Sequence, residues 1–320
     1  MKIKEKSKLS PSRMKDLIQC PKLFYYKSLG ISSPPTIPIA KGVISHTVFD
    51  IIFDHPKSER DKNLAIKYIL PAINVTLNPF SEKNDIMSVE EINLRNKTNS
   101  WVEFEKTDLL FERKMTDSLF YKKLIEDYTI DLFIEECIKT VTGWFSMENP
   151  MKFDPMEREY YISGNIGNVE VHGVIDRLDK VINSKNETVY YISDYKTGNP
   201  PSQRFIDNTF FQLEVYGCLV KDVIGVDVKE LRLIYVKENK KEAVLKKEFT
   251  PKLYKSTKNK IIEINSKITE YGESNNWPTK KQTLCGWCFF QTVCPEFNKN
   301  TENLTPEEIA EITGGILKKQ

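Results

Sequence analysis

The chain has 320 residues, 40% of them hydrophobic, and a mean hydropathy of −0.44, which is typical of a folded globular protein. These values exclude an intrinsically disordered chain, and no apolar run approaches the length needed to cross a bilayer. The net charge of +2 argues neither for nor against a nucleic-acid partner, so any phosphate-binding surface must come from local clusters of basic residues. Because the basic N-terminus is followed by no apolar core, we expect no signal peptide and a cytoplasmic (intracellular) location.

Two short helices are predicted near the N-terminus. Ser10 is a candidate N-cap, with Pro11 at the first helical position, where the missing proline N–H costs nothing. Pro21 is predicted to start the second helix, and Gly30 is predicted to stop it.

A proline-rich connector follows these helices. Residues 31–39 contain three prolines and are predicted to be extended. The next helix is predicted to begin near Ala40 and to carry His46 on its apolar side. Residues 57–150 show a period near 3.6 and are interpreted as a helical insertion that covers or shapes a groove.

From residue 157 the hydrophobic period changes from 3.6 to two, which predicts strands. Asn and Ser residues at 183–186 predict a hairpin turn. The predicted strands are 157–164, 169–179, 189–196, 230–236 and 243–249, and the predicted helices are 208–222 and 251–272, with a short polar helix near the end.

Two carboxylates and a lysine carry the main chemical signal. Asp176 ends one predicted strand, and Asp194 lies near the end of the next, so the hairpin places both carboxylates side by side. Two close carboxylates repel each other, and a bound divalent cation such as Mg²⁺ or Mn²⁺ usually neutralises this repulsion. Lys196 points the same way as Asp194, because side chains alternate along a strand. Asp176 alone, or the Asp194–Lys196 pair alone, is more typical of exposed surface residues. Together they predict a metal site beside a cation.

Other polar residues are weaker candidates. His46 is either a core imidazole or a metal ligand, and the acids elsewhere make it a candidate ligand. Glu159 could add a carboxylate, with Glu157 as its competitor. His172 is interpreted as structural or substrate-facing.

A pair of polar residues lies on the helix that follows the Asp194 strand. Gln212 and Tyr216 are spaced i, i+4 and project from one face, where they either contact a substrate or form the polar edge of a buried helix. Tyr25, Tyr26 and Phe211 could stack on bases, but ordinary core packing is the favoured interpretation.

The cysteines form a second strong signal. They occur at positions 20, 137, 218, 285, 288 and 294. The spacing Cys285-x2-Cys288-x5-Cys294 predicts a metal-binding loop before it predicts disulfides, with Cys20 as the fourth ligand. Zinc and a 4Fe-4S cluster both take four cysteines, and a three-cysteine loop with one distant cysteine favours iron–sulfur. The remaining two cysteines lie in apolar helical runs and are predicted to be buried thiols.

Together these residues resemble the PD-(D/E)XK nuclease superfamily in its RecB-like branch. Its cluster-bearing members include the CRISPR-adaptation nucleases, the AddB nuclease domain and the exonuclease V group. The pieces that carry the resemblance run in family order from residue 10 to 295: Ser10-Pro-Ser-Arg, Cys20-Pro, Gly42-x3-His46, Gly173-Val-Ile-Asp176-Arg, Asp194-Tyr-Lys196-Thr-Gly, Gln212-x3-Tyr216 and the cysteine loop.

The resemblance implies an α/β fold with a restriction-endonuclease-like core, in which helices flank a mixed central β-sheet. It implies metal ligation by His46, Asp176 and Asp194, with Lys196 as the catalytic lysine. It also implies active-site support from Gln212 and Tyr216. The implied 4Fe-4S cluster on Cys20, Cys285, Cys288 and Cys294 would join the N- and C-terminal segments as a clasp.

We therefore predict a metal-dependent DNA exonuclease that acts on single-stranded ends in DNA repair, recombination or viral DNA processing. The alternatives are a CRISPR-adaptation-type end-trimming nuclease and a non-catalytic iron–sulfur DNA-binding subunit. DNA is the expected partner, with a helicase or an integrase as a possible protein partner. The predicted segments are 1–56 with the first cluster cysteine and His46, the insertion 57–150, the nuclease core 151–275 and the cysteine tail 276–320.

Overall fold

The computed structural model describes residues 8–34, 36–77, 130–238, 243–301 and 304–318. The helices, numbered α1 to α9, are Pro11–Gln19, Pro21–Ser28, Ile37–Ile51, Lys62–Lys67, Ile69–Leu77, Ile130–Met147, Ile206–Leu219, Pro251–Ser274 and Pro306–Thr313. The strands, numbered β1 to β7, are Ile31–Ser32, Glu157–Ile166, Val169–Ile182, Thr188–Lys196, Val228–Tyr235, Val244–Glu248 and Ile316–Leu317.

The central feature is a five-stranded sheet in the order β2-β3-β4-β5-β6. Strands β2, β3 and β4 are antiparallel neighbours, β4 and β5 are parallel, and β6 is antiparallel to β5. A parallel pair needs a crossover, and α7 supplies it between β4 and β5. The predicted mixed sheet flanked by helices is confirmed.

The β3–β4 hairpin sets the register of the strands that carry the acids. Its turn is closed by the N–H of Asn183, which donates to the carbonyl of Glu187 at 2.9 Å. Arg177 lies opposite Ser193, so the preceding Asp176 and the following Asp194 are brought together at one end of the ladder. Asp176 and Asp194 therefore lie side by side on neighbouring strands, as the sequence predicted.

Proline begins several helices, as the sequence predicts. Ser10 caps α1, with its Oγ accepting from the N–H of Arg13 at 3.3 Å. The start of α3 was predicted wrongly, because that helix begins at Ile37 and not near Ala40. Pro38 lies in its first turn, where a helix makes no use of the backbone N–H, so a proline that indicated an extended connector is accommodated in a helix.

The described parts of the predicted insertion are helical and share the core of the sheet. Helix α6 buries Phe133, Cys137, Val141 and Trp144, and these join one hydrophobic cluster with residues of the central strands. Residues 78–129 of the predicted insertion lie outside the described residues. No helix in the described parts of the chain is both long and apolar enough to span a membrane.

A smaller structural unit joins the two ends of the described chain. Strand β1 pairs antiparallel with β7, and α2 packs against the cysteine loop and α9. Its separate hydrophobic cluster consists of Leu23, Tyr26, Leu29, Ile31, Phe290, Val293, Ile309 and Ala310. We call this unit, residues 20–32 with 283–317, the terminal clasp.

Candidate active site

Three side chains from separate elements converge at the edge of the sheet. His46 comes from α3, Glu159 from β2 and Asp176 from β3. The Nδ1 atom of His46 lies 3.6 Å from Oε1 of Glu159 and 3.5 Å from Oδ2 of Asp176. One ligand atom from each residue lies within 4.8 Å of the other two, a spacing that suits a single metal ion.

The hydrogen bonding of His46 fixes which nitrogen faces the carboxylates. Its Nε2 lies 2.9 Å from the carbonyl oxygen of Tyr195. A carbonyl only accepts, so Nε2 carries a proton, and this leaves Nδ1 as the atom available to a metal. The same Tyr195 donates its N–H to Oδ2 of Asp176 at 2.9 Å, so one peptide segment of β4 orients two of the three residues.

The register of β2 against β3 places Glu159 in the cluster. Arg158 pairs with Arg177 and Tyr160 with Ile175, so Glu159 lies level with Asp176. The sequence left Glu157 and Glu159 as competitors, and the structure brings Glu159 into the cluster, whereas Glu157 pairs with Leu178 further along. The φ of Glu159 is +41°, which is rare for a non-glycine residue and marks a strained point in β2.

The electrostatics of the cluster couple its members. Burial and the carboxylate of Asp194 raise the pKa of Asp176 to about 7. Burial opposes the charged form of His46, but Glu159 and Asp176 outweigh it and raise the pKa of His46 to about 9. The imidazolium thus offsets the crowded carboxylates, and a divalent cation that replaced its proton would do the same with more charge.

Asp194 and Lys196 form the neighbouring part of the site. Oδ2 of Asp194 lies 2.6 Å from Nζ of Lys196, and the Asp194 side chain is only 4% exposed. That oxygen is buried and makes no hydrogen bond besides this ion pair. Among the described residues, the ligand atoms that lie within 4.8 Å of one another belong to His46, Glu159 and Asp176, so the predicted ligand Asp194 adjoins this group and is not part of it. Its charge still raises the pKa of Asp176, and a histidine with several carboxylates suits Mg²⁺ or Mn²⁺, which take oxygen ligands.

Gln212 and Tyr216 lie on one face of α7, as predicted. Nε2 of Gln212 donates to the Tyr216 hydroxyl at 3.1 Å. Burial raises the pKa of Tyr216 to about 12, with the charges of Asp194 and Asp176 acting in the same direction. A Cβ atom on Gly173 would lie 2.4 Å from Cε1 of Tyr216, so only glycine permits this approach to the acids.

A buried ion network behind the acids was not predicted from the sequence. Arg177 binds Glu148, the residue that follows α6, through two hydrogen bonds of 2.7 and 2.8 Å, and it reaches Asp179 at 3.0 Å. It also donates to the Tyr195 hydroxyl. Arg177 follows Asp176, and Tyr195 follows Asp194, so the network ties together the two strands that carry the acids.

A second basic residue also escaped the sequence analysis. Lys15 of α1 is partly buried near Lys196, Asp194 and Glu214, and burial followed by the charge of Lys196 lowers its pKa. Helix α1 and strand β4 are far apart in the chain, and no sequence pattern links them. The three aromatic candidates pack within the protein, which is the interpretation that the sequence favoured. Tyr26 and Phe211 are buried in cores, and Tyr25 stacks on Trp277.

The four cysteines of the predicted cluster line one cavity within the terminal clasp. The N–H of Gln282 lies 3.4 Å from Sγ of Cys285. Backbone N–H groups of residues 290 and 296 likewise face the sulfurs of Cys288 and Cys294, whose pKa burial nonetheless raises. Cys137 and Cys218 are fully buried elsewhere, as predicted, and burial raises the pKa of each to about 12.

The fold and the site are those expected of a metal-dependent nuclease. A profile of the PD-(D/E)XK nuclease superfamily matches residues 8–295, so the chain belongs to that superfamily. Its members are generally metal-dependent nucleases, and DNA is the substrate that the family implies. Comparison with curated proteins found no match.

Proposed function

We propose that this nuclease is an exonuclease that hydrolyses single-stranded DNA from its ends with Mg²⁺ or Mn²⁺. The observation that carries the chemistry is the meeting of His46, Glu159 and Asp176 beside the Asp194–Lys196 ion pair. The preference for ends rests on the resemblance to the RecB-like branch. In support of that branch, Cys20 meets the distant cysteine loop in one cavity.

The proposed roles follow from the position of each side chain. His46, Asp176 and Asp194 are the ligands implied by the resemblance, and the geometry adds Glu159 to this set. When bound, the metal ion polarises the phosphoryl oxygen and lowers the pKa of the attacking water. Lys196 orients that water and offsets charge that develops on the phosphate.

Gln212 and Tyr216 support this arrangement from α7. Their mutual hydrogen bond fixes the tyrosine hydroxyl beside the acids, where a high pKa keeps it a neutral donor. The presence of Asp176, Asp194 and Lys196 in the sequence counts against the non-catalytic alternative. The CRISPR-adaptation-type alternative differs in its partner, an integrase in place of a helicase, and it uses the same site.

Matched linear and circular DNA substrates test the exonuclease proposal. We expect wild-type protein with Mn²⁺ to degrade linear single-stranded DNA and to leave the circular form of the same sequence intact. Blocking the 5′ or the 3′ end in turn identifies the polarity. Equal cleavage of the circle would contradict an end requirement, and undiminished cleavage by both Asp194→Ala and Lys196→Ala would contradict the assigned site.

We further propose that the terminal clasp holds a 4Fe-4S cluster, with zinc as the less favoured occupant. The preference for iron over zinc rests on the spacing in the sequence, a loop of three cysteines followed by a proline with one distant cysteine.

Iron content after purification without oxygen tests the cluster. We expect about four iron atoms per chain and a brown protein. Cys288→Ala is expected to lose the iron, because it removes one of four ligands. Cys218→Ala is the matched control, since its thiol is buried away from the clasp. A colourless wild-type protein that contains zinc would reject the cluster.

A further inference from the structure

Next to the cluster of His46, Glu159 and Asp176, the surface of the β2–β3 ladder carries exposed side chains that have no role in the proposed hydrolysis. We call Tyr161, Ser163, His172 and Val174 the strand platform. Tyr161 is 54% exposed and Val174 is 39% exposed, although both lie in the middle of paired strands. An exposed tyrosine and an exposed valine lie side by side there, and their position next to the acids makes them a candidate contact surface for the substrate.

Strand register places the strand platform directly beside the acids. Tyr161 lies opposite Val174, and Ser163 lies opposite His172. Glu159 precedes Tyr161 by two residues, and Asp176 follows Val174 by two residues. A step of two residues along a strand is about 6.8 Å, so each cross-strand pair lies one such step from the next.

This spacing matches a strand of nucleic acid. Neighbouring nucleotides of an extended single strand are separated by a comparable distance. A strand whose scissile phosphate lies at Glu159 and Asp176 therefore places its next nucleotide over Tyr161 and Val174. The residues between them, Ile162, Gly173 and Ile175, are buried, so the strand platform presents one continuous exposed row.

The geometry of Tyr161 suits stacking. Its ring lies against that of His172, with centroids 5.9 Å apart and an angle of 47° between the planes. This contact braces the phenol ring while more than half of the residue stays exposed. Val174 supplies an apolar surface beside the ring. A nucleobase, whose two faces are apolar, can stack on Tyr161 and contact Val174.

A positive charge lies at the far end of the strand platform. Nζ of Lys8 is 3.5 Å from Oγ of Ser163 and 3.2 Å from the Glu170 carboxylate. The backbone of Leu9 is bonded to β3 on both sides, which fixes where Lys8 emerges. The Lys8–Glu170 pair is half exposed, and such pairs are weak enough for the lysine to turn to a phosphate.

From these observations we propose that Tyr161, braced by His172, stacks on the base of the nucleotide next to the scissile phosphate and holds single-stranded DNA in register for cleavage. This inference rests on the proposed function and adds a positioning residue to it. Lys8 would contact the backbone of the same strand further from the metal site.

Binding without cleavage tests the proposal. The probe is a short fluorescein-labelled oligonucleotide with hydrolysis-resistant phosphorothioate linkages, followed by fluorescence anisotropy. We expect Tyr161→Ala to weaken binding about 5- to 100-fold, the range for one stacked base. Tyr161→Phe should bind like wild type. Ile182→Ala removes an even more exposed apolar side chain, at the end of β3 that lies away from Val174, and should have no effect.

A scan with one abasic nucleotide separates stacking from a structural effect. Wild type should lose affinity when the abasic nucleotide occupies one particular position, and Tyr161→Ala should be indifferent at that position. If Tyr161→Ala binds every probe with the affinity of the wild type, the proposal is overturned. The strand platform would then be interpreted as a protein-docking surface. Degradation of DNA by wild type is measured separately, so failure of the proposed function shows as no cleavage at all.

Discussion

Replacing Lys196 with alanine is expected to slow Mn²⁺-dependent DNA cleavage about 100- to 1,000-fold, as found when one transition-state donor is removed. Nζ of Lys196 lies 2.6 Å from a buried carboxylate oxygen of Asp194, so the substitution removes the cation of this ion pair, to which we assign the orientation of the attacking water. The measurement is the rate of release of labelled nucleotides with the enzyme saturated by DNA.

Two variants define what this loss would mean. Lys196→Arg keeps the charge but changes its shape and reach, so it should recover little activity if the amine must orient a water molecule. Lys180→Ala removes an exposed lysine of the adjacent strand β3 and should retain activity. Full activity of Lys196→Ala would mean that another cation, such as Lys15, performs this role.

Replacing Arg177 with methionine is expected to lower the free energy of unfolding by about 3–5 kcal/mol. Arg177 is 2% exposed, and its guanidinium is the shared partner of Glu148, Asp179 and the Tyr195 hydroxyl. Methionine fills similar space but leaves two largely buried carboxylates without their cation. Urea denaturation followed by circular dichroism measures the change.

The control for the buried Arg177 network is a solvent-exposed ion pair. Lys267 and Glu263 form an exposed i, i+4 pair on α8, and Lys267→Met should cost about 0.5 kcal/mol or less. Equal effects of the two substitutions would show that the buried network contributes no more than a surface pair. Activity of Arg177→Met, measured where it remains folded, reports how far the network positions Tyr195 and hence His46.

The sequence predicted the elements whose signals are local. Period-two alternation located β2 to β6, and Ser10 with Pro11 located α1, because capping and strand patterning depend on neighbouring residues. The pairing of Asp176 with Asp194 was also predictable, since a short hairpin fixes its own register. The roles of these acids in metal binding stay predictions.

Features that depend on tertiary packing escaped the sequence. The choice of Glu159 over Glu157 depends on the register of β2 against β3, which places Glu159 level with Asp176 and pairs Glu157 with Leu178. Lys15 and Glu148 reach the site only because α1 and α6 pack against the sheet. Pro38 misled the prediction of α3, because a proline indicates a connector and a first helical turn equally well.

The terminal clasp has a consequence for how the chain is made. Cys20 and strand β1 are synthesised before the cysteine loop and β7, with the whole central sheet between them in the chain. Until the later residues have left the ribosome, Leu23, Tyr26 and Leu29 of α2 lack the partners that bury them. A growing chain therefore displays an unfinished apolar surface while the central sheet is being made, and a chaperone or a protease has that interval in which to act on it.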